Sequence, residues 1–514
     1  MKVKLAFLLL LLLSFNACKD SKEDDVDPKP EELTDDQFTN RWAYNKMKSL
    51  YLWNTNLPSK PNYTQDPEAF FKSILYNYGN VNGDRFSWIE EDTSKKTKAL
   101  YADTNLGFEY LPMNYFPELR DGVINYTAVG FFVLYVYEGS DAYKKGLRRG
   151  HVIYKVNNTN ITAENYKTLL TDVSSATLWV YNNRGEKVTL GSIQTTESKK
   201  SPVFISKVIP GTKIGYLMYT GFERNSDDKD DNYEYDIELI ESIRTLNSRG
   251  ITDFVLDLRY NPGGYLTSAM NLASALVPNR KTANIFAKET YNDHFQDSII
   301  KNYGARYLNE YFLDKVYDTN ISMPNLSLTR LYVLAGTYSA SASELVIHGL
   351  RPYMTVAHIG ETTVGKDKAS MTVKSDNERI KWQLQPLISR LTDADGKGNY
   401  INGLAPGIGT ASGDASYKVS EWEEGYTMVD AKYSDGTKTR CPNLSDWVGG
   451  LAELGDPSEP LLAEAIAKIK GVNRVKKTKS AVSTSDRAPV QVPKLKYNED
   501  RQRIIIDQDK FSKK

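Results

Sequence analysis

The sequence predicts a multi-domain α/β protein, and three observations predict it. At 514 residues the chain is long enough for about two to four domain cores of ordinary size. Between Ile214 and Gly360, short apolar β-rich runs alternate with helical periodicity, the pattern of a layered α/β sheet. Ahead of that region lie two stretches of different character, one helical and aromatic, the other β-rich with closely spaced glycines. Lys plus Arg equals Asp plus Glu at 65 each, so there is no overall basic field to attract nucleic acid.

The first residues read as an export signal. Lys2 and Lys4 precede an apolar run from Leu5 to Leu13, which is too short to remain as a membrane-spanning helix. Ala17 directly before Cys18 resembles a bacterial lipobox, whose thiol takes diacylglycerol and becomes the first residue of the mature chain. This predicts a signal peptide over 1–17, lipidation at Cys18, and a lipid-anchored envelope protein on the periplasmic or surface face of the outer membrane. Residues 18–33, charged and Pro-containing, are expected to be a flexible tether. The acidic stretch Lys19–Asp27 resembles the export signals of Bacteroidetes surface lipoproteins. Only Cys441 would remain after Cys18 is lipidated, so no intrachain disulfide is expected.

Residues 34–100 are assigned to an N-terminal helical domain. Thr34-Asp-Asp-Gln starts one helix, Asp66-Pro67 starts a second, and Gly83-Asp-Arg-Phe-Ser-Trp88 closes the unit. Its aromatics are read as core. Residues 104–192 form the β-rich domain. Glu138 to Asn157, with Gly146-Leu-Arg-Arg-Gly150, resembles a PDZ domain. By that resemblance Leu106-Gly107-Phe108 is the loop receiving a peptide's terminal carboxylate, and Asn165 to Leu170 is the helix walling the groove. PDZ domains bind peptides by adding a strand to a sheet edge. A polar linker leads to the α/β core over 202–470. In such sheets ligands collect at the carboxyl ends of strands, and the two turns considered next lie there. Residues 471–514 are basic, Ser/Thr-rich and aperiodic, and are expected to be a disordered tail; the apolar run Ile504-Ile-Ile506 within it has no assigned place.

Two segments carry the chemistry: Gly336-Thr-Tyr-Ser-Ala-Ser-Ala-Ser-Glu344 and Val364-Gly-Lys366. A serine hydroxyl must lose its proton as it attacks, and a lysine held neutral by desolvation can accept that proton. The small residues around Ser341 admit a substrate carbonyl, and a helix starting behind it would aim free amides, notably that of Ala342, at the site. Gly263 and Gly264, at the end of another buried strand, permit close backbone approach and complete a candidate oxyanion hole. Taken alone, the run leaves Ser339, Ser341 and Ser343 all eligible. No zinc-ligand constellation, phosphate-binding loop or nucleotide fingerprint is visible in the sequence, so no cofactor is expected.

Val255-Leu-Asp-Leu-Arg-Tyr-Asn-Pro-Gly-Gly264, Ser339-Ala-Ser-Ala-Ser-Glu344 and Val364-Gly-Lys366 stand in the order found in the C-terminal processing peptidases, family S41, which the chain resembles from about Leu106 to Ile469. The aromatic helical start and the Gly455-Asp-Pro-Ser-Glu-Pro-Leu-Leu462 segment look like Bacteroidetes lipoprotein members. The resemblance implies a ClpP/crotonase-like serine protease core with Ser341 as nucleophile and Lys366, 25 residues on, as general base. It also implies polypeptide substrates with exposed C-terminal tails, selected by the PDZ domain. Many members carry a glutamine four residues after the lysine to orient it. This chain has Ser370 there, with Gln383 and Gln385 as candidate substitutes. Two other readings compete. One is a catalytically inactive, lipid-anchored peptide-binding protein on a protease fold. The other is a Ser-His hydrolase using His348 or His358. Lys368 is a rival base but lacks a preceding glycine.

Overall fold

The computed structural model describes residues 33–92, 106–120, 122–171, 173–195, 201–225, 232–409, 413–421, 428–432, 436, 438–442, 451–474 and 504–506. The expected signal peptide, Cys18, nearly all of the tether and most of the tail lie outside the described residues. No helix among the described residues is long and apolar enough to cross a membrane.

The centre is a five-stranded sheet in the order Thr355–Gly360, Arg330–Ala335, Asp253–Asp257, Ile214–Tyr219, Val203–Val208. The first four strands run parallel and the last is antiparallel. Side chains alternate across a strand, which explains why these runs are apolar throughout: both faces are covered. Leu256, Leu331 and Val333 face the helices Glu234–Ser248, Leu266–Leu276 and Ala342–Leu350. Val255, Tyr332 and Leu334 face the helix Pro460–Lys470 on the other side. Three loops leave the carboxyl ends of three adjacent parallel strands, after Asp257, Ala335 and Gly360, and so converge.

The N-terminal helices form as read. Asp35–Leu50 carries a Thr34/Gln37 capping box, and Pro67–Ser73 is capped by Asp66 with Pro67 in its first turn. They do not enclose a core of their own: Met47, Tyr51, Phe70 and Phe71 join one apolar cluster with Leu217, Leu256 and Leu345. The closing segment, Gly83–Trp88, leads into a strand, Trp88–Glu91, paired antiparallel with Trp382–Gln385.

The β-rich unit is built on a long hairpin, Phe108–Arg120 with Val123–Val136, followed by Val152–Val156, Ser175–Tyr181 and Lys187–Gln194. It has a separate core around Phe131, Val133, Leu147, Ile153 and Leu178. The expected helix over Asn165 to Leu170 is instead a succession of turns. The Thr168 and Thr171 hydroxyls donate to the carbonyls of Asn165 and Lys167, local bonds that compete with a helical ladder.

The tail expectation also needs correction. Ile504–Ile505 is a strand in a second, six-stranded sheet, inserted between Gly264–Tyr265 and Lys368–Ser370. Three β-branched residues suit a pleated surface, and the two flanking strands supply the pairing that no local signal announced.

Candidate active site

Ser341 lies where the loop after Arg330–Ala335 turns into the helix Ala342–Leu350. Its backbone is at φ +64°, ψ −114°. A side chain rarely adopts this conformation, and it persists only where the surroundings hold it. The serine is fully buried. The three serines of the run separate by their hydroxyl partners. Ser339 Oγ donates to the Leu258 carbonyl (2.7 Å) and accepts from the Gly336 amide, and Ser343 Oγ donates to the Asn261 carbonyl (2.9 Å). Ser341 Oγ has no hydrogen-bond partner. Two hydroxyls therefore brace the loop and one is left over.

Glu344, three residues into the same turn, ties this loop to the lysine loop. Its Oε2 accepts from the amides of both Ser341 (2.7 Å) and Lys366 (2.9 Å). Its Oε1 accepts from the Thr363 hydroxyl (2.5 Å) and the Gly365 amide (2.7 Å). Burial pushes the Glu344 carboxyl above the usual range, while these four donors favour the ionised form. Thr363 Oγ1 in turn accepts from the Leu404 amide (2.7 Å). Gly365 sits at φ +91°, and a Cβ there would stand 2.3 Å from the Ile401 carbonyl oxygen, so only glycine fits this turn.

Lys366 is almost wholly buried, its Nζ 5.2 Å from the Phe86 ring centroid. The neighbouring Arg85 donates from Nη2 to the carbonyls of Gly365 (2.9 Å) and Ile401 (3.0 Å). The N-terminal helical segment thus supplies both a ring beside the lysine and a clamp on its turn. From the sequence its aromatics read as core alone; Gly83–Trp88 stands out as a motif, but nothing local joins it to a lysine far along the chain. Lys368 is paired with Asp367 and has its Nζ over Trp53.

The glycine turn needs one correction. The Gly263 amide donates to the Asn261 side chain (2.9 Å), an Asx turn that engages it within its own loop, and the Gly263 carbonyl accepts from the Phe222 amide. Gly263 shapes the turn and is not an open donor. Gly264 is at φ +141°, and a Cβ there would meet the Phe222 carbonyl oxygen at 2.1 Å, so the residue must be glycine. Ala342 occupies the first helical position, where an amide has no intrahelical acceptor.

Of the residues considered for holding the lysine, Ser370 and Gln385 lie together. Gln385 Nε2 donates to Ser370 Oγ (3.0 Å), its Oε1 accepts from Thr372 Oγ1 (2.7 Å), and both Ser370 and Gln385 are fully buried. Gln383 points elsewhere, donating to Glu90 (2.8 Å). Neither candidate histidine engages the Ser341 hydroxyl. His348 Nε2 contacts the Lys397 carbonyl, and His358 Nε2 the Ala335 carbonyl, with burial pulling the His358 imidazole down to about 4.

A buried charge network stands behind the glycine turn. Arg259 is held by Asp257 and, in two parallel bonds of 2.6 and 2.8 Å, by Glu459 at the start of the Pro460–Lys470 helix. Next to it, Tyr260 donates to Glu421 and accepts from Arg149 of the β-rich unit. Leu106, Gly107 and Phe108 open that unit's hairpin; Gly107 is at φ +84°, and its carbonyl accepts from the Tyr137 amide.

Comparison with known proteins matches this architecture. Residues 213–409 fit the model of peptidase family S41, and residues 39–88 fit the peptidase S41 N-terminal domain. The carboxy-terminal processing protease CtpA of Bacillus subtilis (strain 168) is 24% identical over 281 residues, covering 53% of this chain and 51% of that protein. A candidate CtpA-like serine protease of Staphylococcus aureus (strain N315) is 26% identical over 274 residues, covering 52% of this chain and 47% of that one. The chain thus spans about half the length of these curated relatives. A crystal structure of a candidate S41 protease from Bacteroides fragilis NCTC 9343 superposes with a TM-score of 0.61 at 27% identity, covering 88% of this chain and 99% of that one. Catalytic-domain match, N-terminal-domain match and shared fold agree: residues 39–88 and 213–409 carry the N-terminal and peptidase domains of peptidase family S41.

Proposed function

We propose that this protein is a serine endopeptidase of the C-terminal processing type, working through a Ser341–Lys366 dyad. The observation that carries the reading is the pair formed by a buried, unpartnered Ser341 hydroxyl on a strained backbone and a buried lysine whose amide shares one carboxylate oxygen with the serine's. In this reaction Ser341 Oγ attacks the scissile carbonyl while its proton passes to neutral Lys366 Nζ. Desolvation favours that neutral form. The Ala342 and Gly264 amides receive the oxyanion, and the lysine returns the proton to the leaving amine. Water then hydrolyses the acyl-enzyme by the same route. The Ser370–Gln385 pair is the orienting element in place of the glutamine common in the family.

The β-rich unit is assigned the selection of substrate tails, with Leu106-Gly107-Phe108 as carboxylate loop. Its separate core and its Arg149–Tyr260 bond to the residue beside the glycine turn support that role. Export and lipid anchoring at Cys18 complete the proposal on the strength of the N-terminal sequence.

Hydrolysis of casein by the purified chain tests the reaction. Ser341→Ala is expected to abolish it and Lys366→Ala to lower it by about 10²–10⁴-fold, the range for losing a general base. Lys368→Ala should retain it. Equal, slow degradation by wild type and Ser341→Ala would overturn the enzyme reading. Incorporation of labelled palmitate, lost on Cys18→Ala, tests the anchor.

A further inference from the structure

The strand Ile504–Ile505 occupies a notable position. On one side it pairs in parallel with the glycine turn, Ile504 opposite Gly264 and Ile505 opposite Tyr265. On the other it pairs in parallel with the strand that follows the lysine turn, Ile505 opposite Ser370. The Ile506 amide donates to the Ser370 carbonyl (2.9 Å), and Ile506 is buried in the main core. Its two neighbours do not pair with each other, so only a third strand joins these edges of the sheet. Those neighbours are continuations of the Gly263–Gly264 and Lys366 loops. The slot is therefore built to take one extended chain alongside the reacting groups, using main-chain hydrogen bonds that any sequence supplies and one apolar pocket. A peptide adding as a strand needs these same features.

We propose that this slot is the strand-addition site for the substrate chain, that the Ile506 pocket favours a large aliphatic side chain, and that residues 504–506 are its resident competitor. This rests on the endopeptidase reading above and adds the regulation of the same site. The competitor belongs to the same chain as the site, and a tethered segment acts at an effective concentration of about millimolar. An incoming peptide meets an open slot only in the fraction of molecules whose tail is released, and its apparent affinity is reduced by that fraction. A tail seated nine-tenths of the time, for example, weakens substrate binding about tenfold.

The test uses full-length protein carrying Ser341→Ala, so that binding is read without cleavage, and a fluorescent peptide spanning residues 499–509. Fluorescence anisotropy should show at least about tenfold tighter binding to Ser341→Ala/Ile506→Asp than to Ser341→Ala alone. Hydrogen exchange on the Ser341→Ala protein needs no tail mutation: saturating isotope-labelled peptide should expose the protein's own Ile506 amide while Thr355–Gly360 stays protected. Equal affinity of the two variants, or a tail that stays protected at saturation, overturns the proposal and makes 504–506 a fixed strand of the sheet. Failure of the casein experiment would remove the endopeptidase reading without touching either binding result.

Discussion

Replacing Glu344 probes whether one carboxylate holds the serine and lysine loops in register. It accepts four hydrogen bonds, from the Ser341, Lys366 and Gly365 amides and the Thr363 hydroxyl. In Glu344→Gln the amide can flip so that its oxygen serves Ser341 and Lys366 while its nitrogen donates to Thr363 Oγ1, whose hydroxyl can rotate. The Gly365 amide and the Thr363 hydroxyl then lose their acceptor, at a cost of about 1–3 kcal/mol for each buried donor. Glu344→Leu, similar in size, orphans all three amides and the hydroxyl, and the same rule gives about 4–12 kcal/mol. It also removes what holds Ser341 at φ +64°, so the serine should relax toward an ordinary conformation. Urea unfolding reads the stability, and casein hydrolysis by the folded fraction reads the activity. The Gln variant should keep kcat within about tenfold, equivalent to roughly 1.4 kcal/mol in the barrier, and the Leu variant should lose at least about a hundredfold. Equal stability of the two variants, or wild-type kcat in Glu344→Leu, would refute the bridging role.

Two further expectations follow from buried charge. His358 titrates near 4 in the folded protein against 6.5 when free, so between those pH values the unfolded chain holds more protons and stability is lost as pH falls through the window; the shift corresponds to about 3 kcal/mol. Thermal unfolding between pH 7 and 4.5 should show this loss, with a shallower slope for His358→Gln; an unchanged slope contradicts the assignment. Glu459→Ala leaves Arg259 buried with Asp257 and, at 3.5 Å, Glu421 as its remaining carboxylate partners and should cost about 3–5 kcal/mol in urea unfolding. A single-variant loss below about 1 kcal/mol would mean that water replaces the carboxylate.

What was legible in the sequence is what is local. The buried strands announce themselves as apolar runs because both faces of the sheet are covered, and the Ser341 and Gly365–Lys366 turns are short motifs of small residues and glycine. The resemblance to a known family then chose Ser341 among three serines, and the hydroxyl bonds of Ser339 and Ser343 give an independent physical reason for separating it. Contacts across long sequence separations left no such trace. Arg85 on the Gly365 carbonyl and Phe86 beside Lys366 each meet a partner 280 residues away, and the Ile504–Ile505 strand meets partners 240 residues (Gly264) and 135 residues (Ser370) away. The Asn165 to Leu170 reading failed differently: a local pattern suggested a helix, and the segment closes largely as three-residue turns, with the Thr168 and Thr171 amides bonded to Asn165 and Thr168.

The Ser370 departure takes on a different meaning beside these contacts. A lysine on a loosely held turn needs a side chain to aim it, and a serine in place of glutamine would be a serious loss. Here the turn is held from two directions. Arg85 grips the Gly365 carbonyl, and Glu344 the Gly365 and Lys366 amides. Each holds backbone, so the Cα of Lys366 is positioned whatever its side chain touches. The residual freedom is that of the lysine side chain, already confined by burial against Phe86. Gln385 brings an amide to Ser370 from the neighbouring strand, so the polar group missing from one strand is supplied by the other. In the proposed dyad, backbone anchoring and the Ser370–Gln385 pair stand in for the single glutamine that the family resemblance implies, and the helical N-terminal segment, through Arg85 and Phe86, frames the lysine turn.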